Sequence, residues 1–436
     1  MYLKNLKLCN FRCFEDVEIE FDKQMTVLVG GNGSGKTTIM EGAAVALGTI
    51  FVSMDGLSGR KINKTDAHLK VFSVGSTDDV QAQYPVEVSA VGVIGQEEGE
   101  WRRSLNSEGG NTTFKDAKFL TDISEKYQNR LRTGDSSLIL PVLAYYGTSR
   151  LWDYHREKKS DTFKKSTRTN GYIDCLDGTA NIKLMMNWFK KMTIQKYQMQ
   201  ETNSGDIPEL STVYRAMETC FSAVTGYENV KIQYNLNTND LDICYTDASN
   251  LQMQIPLGQL SDGYKSTISL IADIAYRMAV LNPQLLNNIL TETDGVVLID
   301  EVDLHLHPAW QQRVLKDLMN IFPKVQFIVS SHAPAVINSI RSENLVILKD
   351  GRPLLMNNEV YGKDVKSVLN EIMGVSERPP EVAVLFDRFY ARLAAKDFDQ
   401  AEKVLDQIDN LRGHHDPEVA GCRVKLKLER IRGGKS

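Results

Sequence analysis

The 436 residues are 42% hydrophobic and 25% charged with a formal net charge of −5, an ordinary globular composition with room for about two to three domain-sized units. The balance of charge gives no global electrostatic case for nucleic-acid binding, and only a local basic patch would supply one. No window holds the roughly eighteen uninterrupted apolar residues that a bilayer-spanning helix needs, so the chain is expected to be cytoplasmic and to involve no membrane.

The start of the chain, "MYLKNLKLCNFRCFEDVEIEF", alternates in the manner of strands and lacks the basic start, apolar block and cleavage site of a secretory signal. The six cysteines, Cys9, Cys13, Cys175, Cys220, Cys244 and Cys422, show no paired CxxC spacing. That scatter suits reduced thiols and gives no disulfide framework or zinc site.

The apolar run into "VLVGGNGSGKTTIM" ends in Gly30-Gly31-Asn32-Gly33-Ser34-Gly35-Lys36-Thr37, the pattern GxxxxGK[ST] set between a buried strand and a helix. Glycines let backbone N–H groups fold around a polyphosphate while the positive helix end favours the anion. ATP is the expected ligand, held by Gly30, Asn32, Gly33, Ser34, Gly35, Lys36, Thr37 and Thr38. Lys36 reaches the terminal phosphates, and Thr37 ligates Mg²⁺.

Residues 70 to 105 alternate weakly, as in "YPVEVSAVGVIG", and predict antiparallel strands. The apolar "LILPVLAYYGTSRLW" predicts a further strand, and a run rich in Lys and Arg follows with Trp152, Tyr154 and Phe163 interleaved. Such a run is either a DNA contact, through phosphates and base stacking, or a solvated loop or protein contact. Residues 181 to 225 predict helices of a lid, with a Met and aromatic stripe that reads as core. No heptad pattern is sustained long enough for a coiled-coil arm.

"GQLSDGYKS" then opens the helical pattern "STISLIADIAYRMAVL", where Ser261 offers a hydroxyl and Gly263 a close-approaching backbone at a helix N-terminus. In "GVVLIDEVDLHLHPAW" four apolar residues deliver Asp300 and Glu301 to one sheet edge. Asp300 is placed to hold Mg²⁺, and Glu301 to polarise the water that attacks the γ-phosphate. A last buried strand, "VQFIVSSHAPAVI", ends in Ser330-Ser331-His332. Beyond it the chain reads as helices; Asp397 and Asp399 fall in a helical pattern as surface acids, and His414-His415 read as a loop.

The order of P-loop, LSDGY, LIDE and SSH resembles the ABC-type ATPase heads of the RecF, SMC and OLD group, and the "NFRCF" opening is similar to theirs. The resemblance implies an α/β fold: a P-loop head with a mixed β-sheet flanked by helices, an inserted helical lid and a short helical C-terminal tail. The head's N-terminal part falls at 1–55, a β-rich continuation at 56–150, the inserted lid or arm at 151–257, the head's C-terminal part at 258–355, and a helical partner-docking region at 356–436. It also implies that Ser261, Asp262 and Gly263, as the signature loop, complete the ATP site of another subunit in a homodimer or higher homo-oligomer. Lys36, Glu301 and His332, as the switch histidine, then form the catalytic set. Asp262 departs from the usual LSGGQ signature, and the Q-loop role is left unassigned, with Gln81, Gln83 and Gln96 all in a weakly patterned region.

Together with "LAYYGTSRLW" and "DEVDLHLHP", the short tail resembles the PtuA ATPases of Septu-type anti-phage systems, some of them retron-associated. That resemblance implies an ATPase with no nuclease of its own, controlling a separate HNH nuclease of the PtuB type, with a retron reverse transcriptase and its nucleic acid as further partners. The alternative is a RecF- or SMC-like DNA-repair ATPase that binds DNA; a scaffold with a degenerate site is disfavoured by the intact Lys36, Asp300 and Glu301.

Overall fold

The computed structural model describes residues 1–148, 167–178, 182–201, 206–247, 249–349, 351–354, 359–376, 378–413 and 416–433. The basic run around Trp152, Tyr154 and Phe163, and the pair His414 and His415, lie outside the described residues. The chain divides into two compact units, Met1–Lys363 and Asp364–Ser436, a division slightly beyond the junction drawn at 356 from the sequence.

In the first unit the alternating N-terminus forms the antiparallel strands β1 (Tyr2–Phe11) and β2 (Phe14–Glu20). The apolar run that follows is β3 (Met25–Gly30), which the glycine loop connects to α1 (Lys36–Leu47). An exposed hairpin, β4 (Leu69–Val74) and β5 (Thr77–Ala82), precedes β6 (Val86–Ile94) and β7 (Glu97–Leu105). These last two join the first pair in an antiparallel sheet of order β2-β1-β6-β7. Next come α2 (Lys118–Arg132) and β8 (Val142–Tyr146). The inserted region contributes α3 (Ile182–Glu201) and α4 (Pro208–Thr225). To these helices it adds a three-stranded antiparallel sheet of β9 (Glu228–Asn235), β10 (Asp240–Thr246) and β11 (Gln252–Pro256).

The chain then returns to the head with α5 (Asp262–Leu281), α6 (Ile289–Glu292) and β12 (Gly295–Ile299). It continues through α7 (Pro308–Gln311), α8 (Val314–Ile321), β13 (Val325–Ser331), α9 (Pro334–Ile337), β14 (Leu345–Lys349) and β15 (Arg352–Leu354). The second large sheet has the order β15-β14-β3-β13-β12-β8 and is parallel except for its β15 edge. Every residue of β8, β12 and β13 is buried, as a parallel sheet covered on both faces demands.

Helix α1 packs against β1 and β6 of one sheet and β3, β8, β12 and β13 of the other. Ten of its twelve residues are buried, and a helix apolar on all sides is stable only in such a two-sided setting. Gly42 permits the approach, because a Cβ there would stand 2.6 Å from the Leu8 side chain. Just past the C-terminal end of α1, Arg103 of β7 is fully buried, stacks 4.0 Å over Phe114 and donates to Thr113 O and Thr49 Oγ1. Burial pushes its pKa down to about 10, and the negative end of the α1 dipole favours the charge that burial penalises.

The second unit holds α10 (Val365–Ser367), α11 (Pro380–Ala394), α12 (Phe398–Arg412) and α13 (Pro417–Gly433). The last three close on Phe386, Phe389, Leu405, Ile408, Cys422 and Leu426. Asp397 caps α12 by accepting from the Gln400 N–H, and Asp399 pairs with Arg430 at 2.6 Å, so both acids have structural partners. Among the described residues no helix is long and apolar enough to cross a membrane.

Candidate functional site

Because β3, β13 and β12 are neighbours in the parallel sheet, their C-terminal ends bring the glycine loop, Ser330-Ser331-His332 and Asp300-Glu301 to one edge. Ligand sites of open parallel sheets form at that edge. The sequence separates these segments widely; only the strand order joins them.

The loop geometry explains its residues. Gly35 has φ +99°, and a Cβ there would stand 2.2 Å from the Phe14 ring, so the "NFRCF" turn between β1 and β2 seats its second Phe on the loop's last glycine. A Cβ on Gly30 would meet Leu348 O at 2.6 Å, whereas Gly31 and Gly33 face open space. Gly35 offers α1 no side-chain cap and the first turn carries no acid, which leaves its N–H groups and positive dipole end for an external anion. Ser34 Oγ is buried with no hydrogen-bond partner among the described residues. Lys36 Nζ is held by Gly30 O at 2.9 Å and Gly31 O at 3.0 Å. Burial lowers its pKa against the opposing pull of Asp300, Glu301 and Asp303. A desolvated cation, an orphaned hydroxyl and uncapped helix N–H groups fit a bound polyphosphate. Asn32 is exposed at the loop's tip, and Thr38 faces the other way, accepting from Cys13 Sγ at 3.5 Å.

Thr37 Oγ1 donates to Asp300 Oδ2 at 2.6 Å, which places the two expected Mg²⁺ oxygens side by side. Ser330 Oγ donates to Asp300 Oδ1 at 2.5 Å and accepts from the Glu301 N–H at 2.8 Å. One hydroxyl thus fixes one acid's side chain and the other acid's backbone. Glu301 sits at φ +48°, a region costly for a side chain with a Cβ, and strain of this kind is held in place only where surrounding bonds determine it. Removing the Ser330 hydroxyl tests the arrangement. Ser330→Ala is expected to cost about 1–2 kcal/mol of stability and to lower turnover about tenfold with nucleotide affinity nearly unchanged, while Ser330→Thr restores most of the rate. Equilibrium nucleotide binding and steady-state phosphate release, measured on the same samples, decide it.

The signature residues lie apart from the glycine loop's bonding network. Ser261 is the exposed N-cap of α5 and makes no side-chain cap bond. Asp262 is exposed with Lys265 at 3.8 Å, and a Cβ on Gly263 would stand 2.5 Å from His305 O. Tyr264 packs on Trp310 with ring centroids 4.3 Å apart, so the loop is seated on the segment that follows Glu301 in its own chain. Deeper in α5, Asp273 takes hydrogen bonds from Arg277 and from the Tyr146 hydroxyl, both at 2.7 Å, and the Tyr146 carbonyl accepts from Asp300 N–H at 2.8 Å. His332 is half-buried at the end of β13.

Three residues in or near the site carry no sequence signal of their own. Ser330 was visible only as a strand-end serine. Asp303, whose buried Oδ1 has no hydrogen-bond partner among the described residues, stands in the DEVD string without a spacing that marks it. Arg12 joins Asp66 at 2.7 Å and Glu41 of α1, contacts made across the fold.

Fold and site define a P-loop ATPase head of the ABC type. An AAA-domain family model matches residues 5–240, and a second AAA-domain model matches 245–338; the chain belongs to the AAA-domain family. It is 27% identical to the Vibrio cholerae retron Vc95 probable ATPase over 86% of this chain and 80% of that protein. It is 24% identical to the Bacillus thuringiensis Septu protein PtuA over 86% of this chain and 85% of that one. Among solved structures it is similar to the SMC head domain from Thermotoga maritima at 17% identity and TM-score 0.40, over 83% of this chain and 100% of that one. The chain is thus retron-ATPase-like and PtuA-like.

Proposed function

We propose that the chain binds ATP with Mg²⁺ and hydrolyses it in a homodimer or larger homo-oligomer, and that nucleotide occupancy controls a separate HNH nuclease of the PtuB type in anti-phage defence. The carrying observation is the Thr37–Asp300–Ser330–Glu301 chain of hydrogen bonds, which supports reading Thr37 and Asp300 as ligands of one metal ion and Glu301 as the base beside the glycine loop. Lys36 and the first-turn N–H groups of α1 hold the β- and γ-phosphates, Glu301 orients and deprotonates the attacking water, and His332 contacts the γ-phosphate side. Thr37 and Asp300 would hold Mg²⁺, which would supply neutralisation of phosphate charge when bound. Ser261, Asp262 and Gly263 complete the site of a neighbouring subunit. The defence assignment is supported by the likeness to retron and Septu proteins over most of their lengths.

Lys36→Ala is expected to weaken ATP binding about 10–100-fold, since a buried charged hydrogen bond to phosphate is lost. In the wild type, a nuclease encoded beside this gene is expected to copurify with the chain, with a yield that differs between ATP-loaded and nucleotide-free protein. ATP-dependent binding to DNA ends or gaps with no copurifying nuclease would instead support the DNA-repair reading.

A further inference from the structure

We propose that the outward face of α13 docks an amphipathic helix of the partner protein, one whose apolar spine is bordered by Asp and Glu. This rests on the reading that the chain controls a separate nuclease, and it names where and by what chemistry the two meet.

Helix α13 carries two apolar stripes. Val419, Cys422 and Leu426 are buried in the three-helix core. On the opposite side Val424, Leu428 and Ile431 are 58%, 52% and 62% exposed. Their spacing of four and three residues puts them on one helix face. Single exposed aliphatics are normal on a protein surface, but an aligned ridge of three marks an interaction site.

The residues beside the ridge select its occupant. Around the helix, Lys425 and Arg432 border it on one side and Lys427 on the other, all exposed; Arg432 pairs with Glu429 at 3.1 Å and Lys425 stands 5.0 Å over the Tyr390 ring. The two acids of α13, Glu418 and Glu429, lie toward the buried side. Arg423 and Arg430, farther round, are already tied to Asp406 and Asp409 and to Asp399 and Glu402 of α12. With Arg432 matched by Glu429, Lys425 and Lys427 still leave one cation on each flank of the ridge. A second copy of the same face would set cations against cations in either orientation, which disfavours self-pairing. Nucleic-acid backbone would match the cations and leave the aliphatic ridge against water. An amphipathic helix with an acidic border satisfies both features at once.

The test uses the full chain and the HNH nuclease that the proposed function requires, sought among the neighbouring genes, with affinity measured by biolayer interferometry across a salt series. Leu428 is exposed, so Leu428→Asp should fold normally, as a thermal melt and unchanged ATP turnover would verify. It is expected to weaken nuclease binding at least about 30-fold, with Leu428→Met near wild type. Lys427→Glu is expected to weaken binding about two- to fivefold and to flatten the salt dependence. Wild-type affinity for Leu428→Asp overturns the ridge assignment alone, and salt-independent binding that Lys427→Glu leaves unchanged overturns the acidic border. Binding of the wild type to phosphatidylserine vesicles, lost in Leu428→Asp while nuclease binding persists, reassigns the ridge to a membrane surface and overturns the proposal. A self-association constant weakened by Leu428→Asp with nuclease binding intact does the same in favour of a second copy. A wild-type chain that binds no nuclease overturns the nuclease-control reading itself.

Discussion

Glu301→Gln is expected to bind ATP as tightly as the wild type and to hydrolyse it about 10²–10⁴-fold more slowly. The amide keeps the size and hydrogen-bonding reach of the carboxylate but cannot take a proton. The substitution also leaves the surroundings in place, because the contact that positions residue 301 from Ser330 is made by its backbone N–H. Asp300 keeps both its Thr37 and Ser330 bonds, so phosphate and metal contacts should survive. Equilibrium titration with ATP, followed by single-turnover phosphate release, separates the two quantities. A glutamine variant that turns over at the wild-type rate removes Glu301 as the base and leaves Asp303, on the same edge, as the next carboxylate to test. The pattern differs from that of Ser330→Ala, where the base is present but loosened and the loss should be nearer tenfold.

The head was legible in the sequence because its chemistry is written in contiguous strings. Gly30 to Thr37 and Val296 to Glu301 each combine a buried strand with the residues it delivers, so strand, turn and chemistry are read together. Residues whose role depends on register between distant strands were not legible. Ser330 stands opposite Asp300 because Val329 pairs with Ile299 across the β12–β13 ladder, a fact no local pattern carries. Gly35 reads as a left-handed turn residue, but its contact with Phe14 comes from the β1–β2 turn folding over the loop. Helix α2, within the stretch whose pattern predicts β-structure, carries a weak helical signal: its apolar Leu120 and Ile123 are buried among charged residues, and its N-cap, Ala117, makes no side-chain cap bond. In the tail the helical pattern from Glu381 to Leu411 runs on without Gly or Pro, yet α11 and α12 part at Ala395–Asp397. There Lys396 takes φ +60° and Asp397 starts the next helix by capping it.

Ser261→Arg is expected to leave ATP binding at the glycine loop intact while lowering turnover at least about 100-fold, the scale of losing one donor from a preorganised anion site. The argument starts from exposure. Ser261 ends its loop as an uncommitted N-cap, with Gly263 pressed on His305 O and Tyr264 on Trp310. Its own subunit fixes the loop's position and leaves the hydroxyl facing outward. A long cation in place of that hydroxyl would block a tight subunit contact without touching Lys36 or Thr37. The α5 helix that carries Ser261 also bonds through Asp273 to Tyr146, whose carbonyl holds Asp300 N–H, which ties this helix to the acid edge of the same chain. Mixing Ser261→Arg with Lys36→Ala should restore turnover to about a quarter of wild type at equal amounts, since only the mixed dimers hold an intact site, one of two each. Diluting the wild type below its dimer dissociation constant should lower turnover per subunit. Turnover that is independent of concentration, in protein shown by light scattering to be monomeric, would leave the P-loop chemistry standing and remove the composite site.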